Sequence, residues 1–423
     1  MIRWLYSLLF YLVQPLVWMR FVWRARRQPE YFRHVGERYG FYDVSPRSRL
    51  LWLHAVSVGE TRAAEPLIKV LLDEYPDHFL LMTHMTPTGR AVGRELIDRY
   101  GERLMQAYLP YDLPDACCRF LSHFKPELGL LMETEIWPNL LAACQQRRVP
   151  MFLVNARLSA KSLRGYRRLL ALIQPAMQSL AGVAAQTAAD AERLRCIGAA
   201  SIHVTGNLKF DVVPDTEKRK LGAEWRCLLG DRPVWLAAST REGEEALILE
   251  AFSRMNFPDL LLLLVPRHPQ RFGDVVQMIE ECQLAFCQRS KGRMPTLETR
   301  VWLGDSMGEM HAYFTVADIA LIGGTLLPFG GQNLIEAAAC GCPVLVGPYT
   351  YNFAQATEDA LACGAARRID DVLAAAAAVE NLLTGKEILT LMREASTRFS
   401  QAHRGATART MALVRERVAR TAD

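Results

Sequence analysis

The chain predicts an α/β protein built on two doubly wound parallel sheets. Three observations carry that reading. Short apolar runs alternate with helical patterns along almost the whole length, which is the grammar of βαβ units. Several runs lack polar alternation, above all residues 260–265, nearly pure leucine, as fits a parallel strand buried on both faces. At 423 residues the chain exceeds one ordinary domain and suits two of roughly 200 residues.

Taken in order, residues 50–56 (LLWLHAV) read as a strand, Ser57-Val58-Gly59-Glu60-Thr61 as a turn, and 63–75 as a helix. Strands follow at 79–83, 106–109, 128–132, 151–154, 182–185 and 202–205. Thr86-Pro87-Thr88-Gly89 opens one helix and 137–146 forms another. Residues 212–232 break the rhythm. They are charged, with Pro214 and Pro233 near the ends, and read as a linker. A second series places strands at 234–238, 260–265, 301–303, 319–322 and 344–346. Between the last two, glycine pairs at 323–324 and 330–331 precede a helix over 333–340 that Gly341 ends. The tail, 386–423, reads as helical and basic on one face. The expected segments are therefore 1–27, 28–211, 212–232, 233–385 and 386–423, with a ligand cleft between the two larger ones.

Residues 4–19 (WLYSLLFYLVQPLVWM) hold no charge, while Arg3 and Arg20 flank them and Arg24, Arg26 and Arg27 follow. The run is short for a span and contains Gln14 and Pro15. Nothing in it resembles a cleavage site. It reads as a marginal span, as a helix lying in the membrane interface, or as an apolar helix packed inside the protein. The arginines would face the cytoplasm in either membrane reading.

Net charge is +5, which suits anionic ligands or an anionic membrane surface and is no nucleic-acid footprint. The ten cysteines are scattered without a Cys-x-x-Cys pair, as expected of reduced, buried thiols rather than a zinc site. No Walker loop, no Gly-x-Gly-x-x-Gly at the first helix and no Asp-x-Asp pair occurs. Those absences disfavour ATP chemistry, hydride transfer and a metal-held diphosphate.

The polar clusters follow predicted strands. Glu60 stands at a helix start, where the helix dipole would keep it ionised. It reads either as a general base or as a helix-cap acid. Glu133-Thr134-Glu135 gives a second acid pair, one member of which could simply satisfy backbone N–H groups. Lys209, in Gly206-Asn207-Leu208-Lys209-Phe210-Asp211, is a candidate for a substrate carboxylate or phosphate, or a solvated lysine. In the second half, Ser239-Thr240-Arg241 suits a phosphate, and Pro266-Arg267-His268-Pro269, stiffened by its prolines, reads as a functional Arg-His pair at a strand end or as a turn with a surface arginine. Gly304-Asp305-Ser306-Met307-Gly308-Glu309 could wrap a base and sugar. Glu336, one turn into the 333–340 helix, suits a hydroxyl pair, so the segment reads as a sugar-nucleotide site or as a glycine turn that only packs helix on strand.

Together these stretches resemble the 3-deoxy-D-manno-octulosonic acid (Kdo) transferases of lipopolysaccharide synthesis. The motifs run in family order: SVGE (57–60), MTPTG (85–89), LPYD (109–112), METEIWPN (132–139), NARLS (155–159), GNLKFD (206–211), VPRHP (265–269), GDSMGEM (304–310) and GGQNLIEAAACGCPVLVGP (330–348). The resemblance implies a GT-B glycosyltransferase of two Rossmann-like domains, metal-independent, inverting and without a cofactor. Its donor would be CMP-Kdo and its acceptor the lipid A precursor lipid IVA, at the cytoplasmic face of the inner membrane. By motif match, Glu60 would be the base, and Glu133 and Lys209 would stabilise the transition state. Pro266, Arg267, Met307, Gly308, Glu309, Asn333, Leu334, Ile335 and Glu336 would hold CMP. Arg241 stands where Ser-Thr-His or Ser-Ile-His is expected and stays outside that set. The competing readings are another membrane-associated GT-B sugar transferase, a nucleotide-sugar epimerase, and a non-catalytic nucleotide-binding scaffold.

Overall fold

The computed structural model describes residues 2–422, with only the backbone described at residues 27 and 418–422. The Arg27 side chain of the basic cluster, and residues 1 and 423 at the ends of the expected segments, lie outside it. The chain forms two compact units, Met1–Val212 with Arg404–Asp423, and Val213–His403.

The first unit holds strands β1 (Leu50–His54), β2 (Phe79–His84), β3 (Leu104–Tyr108), β4 (Leu128–Met132), β5 (Met151–Ala156), β6 (Gly182–Ala185) and β7 (Ile202–Val204). They form one seven-stranded sheet in the order β3-β2-β1-β4-β5-β6-β7, all pairs parallel. Successive side chains point to opposite faces. On β1, Leu50 and Trp52 join a core with Phe120 and Phe124, while Leu51 and Leu53 join another with Leu67, Leu71 and Val414. Both faces are covered, which is why the strands read as unbroken apolar runs. The order reverses between β1 and β4, so the loops after these strands mark the switch point where ligands bind in such sheets.

The second unit holds β8 (Val234–Thr240), β9 (Leu261–Pro266), β10 (Phe286–Gln288), β11 (Val301–Leu303), β12 (Ile319–Ile322), β13 (Val344–Val346) and β14 (Ala366–Arg368). Its parallel order is β10-β11-β9-β8-β12-β13-β14, with the reversal between β8 and β12. The outermost strands, β10 and β14, have no counterpart in the sequence reading. Each is three residues long, and the exposed Arg367 and Arg368 give β14 no apolar run.

Two expected segments differ. Where the sequence reads a linker, residues Thr216–Leu229 form a helix of the second unit. Most of its charges lie outward, but Arg226 turns in to Asp318 at 3.2 Å and Trp225 packs 5.0 Å from Trp302. Gly222 runs so close to Ala312 that a Cβ there would lie 2.4 Å from that carbonyl. The tail is also two elements. Helix Lys386–Ala402 belongs to the second unit, and Ala406–Ala422 belongs to the first. Asp211 fixes the latter by accepting from the Gly405 and Thr407 N–H groups at 2.6 and 2.5 Å.

The apolar N-terminus forms two helices, Ile2–Leu12 and Gln14–Arg27, bent by 47° where Pro15 requires a new helix start. Among the described residues no single helix is long and apolar enough to cross a membrane. One side docks on the first unit. Tyr6 donates to Asp112 (3.0 Å), Ser7 to Asn139 (3.1 Å), and Tyr39 to Gln14 (3.0 Å). The other side leaves Trp4, Leu5, Leu8, Leu9, Leu12, Leu16 and Met19 exposed. An apolar helix packed inside the protein would bury these side chains, so that reading is set aside.

Candidate active site

In the first unit, five expected or adjoining polar residues follow the carboxyl ends of β1, β4, β5 and β7. Glu60 sits in the first turn of helix Val58–Glu74. Its carboxylate accepts from the Val56 N–H at 2.8 Å and the Ser57 hydroxyl at 2.9 Å. The helix-cap role is therefore real, and so is an unusual charge state. Burial, then the neighbouring Glu133 charge, push the Glu60 carboxyl up to about 7, against the pull of those two donors. The sequence reading had the helix N-terminus keep Glu60 ionised. Burial and a like charge outweigh that dipole here.

Glu133 follows β4 with a left-handed backbone, φ +58°. For a residue with a Cβ this costs about 1–2 kcal/mol, and such strain gathers at functional sites. Its carboxylate takes the Arg157 guanidinium at 3.0 Å and the Lys209 ammonium at 3.6 Å. Glu135 is also pushed up to about 7, by burial and then by Glu133, although the Trp137 indole donates to it at 2.8 Å. The group thus holds Glu60, Glu133 and Glu135 with Arg157 and Lys209. Two of the carboxyls can take or lose a proton near neutrality.

Lys209 is placed by Asn155. That residue is fully buried on β5, also with a left-handed backbone (φ +52°), and accepts from the Leu208 N–H at 3.0 Å. Asn207 caps the short turn by accepting from the Lys209 N–H at 3.0 Å.

In the second unit, the loops after β8, β9, β11 and β12 carry the expected nucleotide residues. Pro266 ends β9, and the Arg267 N–H donates to the Thr240 carbonyl at 3.0 Å. Burial, then Arg241, Arg267 and Arg271, hold the His268 pKa below the usual imidazole range. The end of the β8–β9 pair is thus strongly basic. Glu245 takes Arg271 at 2.9 Å, while Arg241 lies over the Phe329 ring at 4.7 Å. Glu244, fully buried, accepts from the Arg241, Gly324 and Leu326 N–H groups and ties the β8 loop to the glycine turn after β12. Two of its glycines leave no room for a side chain. A Cβ on Gly323 would lie 2.3 Å from the Ser239 carbonyl, and one on Gly330 2.3 Å from Tyr351.

Asn333 caps helix Leu334–Ala339, accepts from Ile335 N–H at 3.1 Å and donates to Glu336 at 3.0 Å. Leu334 and Ile335 are buried in the core, so only their backbone can meet a ligand. Met307 and Gly308 form an exposed turn. Glu309 is buried, paired bidentately with Arg289 at 2.9 and 3.0 Å, and takes the Ser306 hydroxyl. Its carboxylate thus ties the loop to Arg289 and Ser306. Each unit thus gathers its own share of the expected residues. The sequence reading missed Arg157 and Asn155 as site residues, although both lie in the quoted NARLS stretch. Among the described residues no group of three His, Cys, Asp or Glu side chains is arranged to hold a metal ion.

The family model for 3-deoxy-D-manno-octulosonic-acid transferase (kdotransferase) matches residues 33–212. Over 425 residues the chain is 44% identical to a 3-deoxy-D-manno-octulosonic acid transferase of Bordetella pertussis, covering 97% of this chain and 98% of that protein. Among solved structures, a glycosyltransferase from Rickettsia africae gives a TM-score of 0.60 at 13% identity, over 89% of this chain and 99% of that one. A UDP-GlcNAc 2-epimerase from Neisseria meningitidis, bound to UDP-GlcNAc, gives 0.60 at 16% identity, over 87% and 99%. At such identities the structures speak for the fold alone, which is GT-B.

Proposed function

Because the chain belongs to the 3-deoxy-D-manno-octulosonic-acid transferase family, we propose that it moves Kdo from CMP-Kdo to lipid IVA, the lipid A precursor, in lipopolysaccharide synthesis. The observation that carries the chemistry is Glu60, whose carboxyl is raised to about 7 beside the Glu133–Lys209–Arg157 group. A general base works best with a pKa near the working pH.

In this reading the reaction is a single displacement with inversion. The acceptor hydroxyl oxygen bonds to the anomeric carbon, its proton passes to Glu60, and the bond from that carbon to the CMP phosphate breaks. Lys209 and Arg157, held by Glu133, offset negative charge on the sugar carboxylate as the transition state forms. In the second unit, Arg267 and Arg241 meet the leaving phosphate, which supplies positive charge without a metal. The Gly330–Gly331 backbone and the Leu334 N–H group line the nucleotide. Glu336, oriented by Asn333, takes the ribose hydroxyls, and Met307 and Gly308 close over the base.

The exposed apolar face of the N-terminal helices supports a place at the membrane surface, with the helices lying in the interface. Arg20, Arg24 and Arg26 would then attract acidic headgroups at the cytoplasmic face of the inner membrane. The test is incubation with CMP-Kdo and lipid IVA, with the lipid product analysed by mass spectrometry. Kdo-bearing lipid and free CMP are expected. Lipid returned unmodified, with CMP-Kdo intact, would refute the proposal.

A further inference from the structure

The first unit carries a groove whose lining includes none of the candidate active-site residues. Its volume is about 430 Å³, within the range of small-ligand sites. The walls come from three helices: Arg3 and Trp4 from Ile2–Leu12, Pro138 and Ala142 from Pro138–Gln146, and Leu172 and Ala176 from Leu170–Gln178. The lining holds no carboxylate, and Arg3 is its one charged residue. Among the described residues Arg3 makes no ion pair. Helix Ala160–Arg168, joined to the third wall through Leu169, adds Lys161, Arg164, Arg167 and Arg168, and none of its residues is buried. Trp4 is 75% exposed, and one turn on from it lies Leu8, also exposed. The groove therefore adjoins the exposed apolar residues of the N-terminal helix, with Arg3 as the charged group in its wall.

From this charge complementarity we propose that the groove holds one acyl chain of an acidic bilayer lipid, with Arg3 on the headgroup phosphate. The inference rests on the membrane-surface reading above. It adds a discrete site to what would otherwise be adsorption through an exposed face. Covering Trp4 and the Ala142–Leu172 floor supplies the apolar contact, and the free guanidinium selects an acidic headgroup over a zwitterionic one.

The test uses the full chain and dioctanoyl lipids below their micelle concentration, so that no membrane is present. Calorimetry should show saturable one-to-one binding of dioctanoyl phosphatidylglycerol and weaker binding of dioctanoyl phosphatidylcholine. Ala142→Trp, which fills the groove, should weaken phosphatidylglycerol binding by at least about tenfold, roughly 1.4 kcal/mol. Arg3→Gln should remove the headgroup preference. Flotation of Ala142→Trp on vesicles should stay as in the wild type, which keeps loss of the groove apart from loss of membrane association. Equal binding by Ala142→Trp, or equal binding of both lipids to the wild type, would overturn the assignment. So would a raised KM for lipid IVA in Ala142→Trp, which would make the acceptor the occupant. A dimer that Ala142→Trp dissociates in sedimentation would make it a second copy of the chain.

Discussion

Replacing Glu60 by Gln should separate stability from activity in a way that reports directly on the proposed base. A folded-state pKa raised from the ordinary 4.5 to about 7 means that the folded chain holds this proton more tightly than the unfolded chain does. The stability from that proton is fully present below pH 4.5 and is lost as pH rises through 7. At about 1.4 kcal/mol per pH unit, the loss approaches roughly 3 kcal/mol by pH 8. Gln does not titrate, so the variant escapes it. Against this stand the hydrogen bonds from Val56 and Ser57, each worth about 1 kcal/mol, which Gln keeps only in part. Glu60→Gln should thus be 1–2 kcal/mol more stable than the wild type at pH 8, as an order-of-magnitude expectation, and no more stable at pH 5. Denaturant unfolding of the first unit at the two pH values measures the difference. Parallel pH dependences for the two proteins would refute the burial argument. The same substitution should lower transfer by about 10²–10⁴-fold while leaving CMP affinity unchanged. In the wild type, transfer should rise with pH through about 7.

Three further expectations follow from the geometry. Asn155→Ala removes the acceptor for the Leu208 N–H and frees Lys209 to wander. It should cost about 1–3 kcal/mol of stability and lower kcat more than it alters nucleotide affinity, as unfolding and steady-state kinetics would show. Gly330→Ala must hold a left-handed backbone (φ +88°) and meet Tyr351, so thermal unfolding of the second unit should show a loss of roughly 2–4 kcal/mol. Leu9→Glu with Leu16→Glu alters the exposed apolar face and leaves the Tyr6, Ser7 and Gln14 contacts in place. Vesicle flotation should fall sharply while CMP binding persists, and unchanged flotation would contradict the interfacial reading.

Much of the fold was legible because parallel strands buried on both faces announce themselves as apolar runs. Residues 260–265 and 319–322 are the clearest cases, lying close to β9 and β12. The edge strands β10 and β14 were not legible, since each has only three residues and neither is a buried apolar run. Residues 212–232 misled for a physical reason. A helix with a charged outer face and one buried Trp225 has the composition of a linker until its partner, Trp302, is known.

At the site, residue types and their places after strands singled out Glu60, the Glu133 and Glu135 pair, and Lys209, and the family resemblance chose Glu133 from that pair. Their charge states were beyond the sequence, because the raised pKa of Glu60 depends on Glu133, 73 residues away in the chain and adjacent only because β1 pairs with β4. The same adjacency, between β4 and β5, brings Arg157 to Glu133. Glu309, a nucleotide residue by motif match, pairs with Arg289, a contact that spacing alone does not reveal.

In the proposed reaction the chain joins Kdo to a lipid through a base on its first unit and a cytidylate site on its second. The most direct measurement is single-turnover release of CMP from CMP-Kdo in the presence of lipid IVA, run in parallel with UDP-GlcNAc. The account predicts CMP release that requires the lipid and is lost in Glu60→Gln, with UDP-GlcNAc left unchanged. Epimerised UDP-GlcNAc, or CMP release at the wild-type rate by Glu60→Gln, would contradict it.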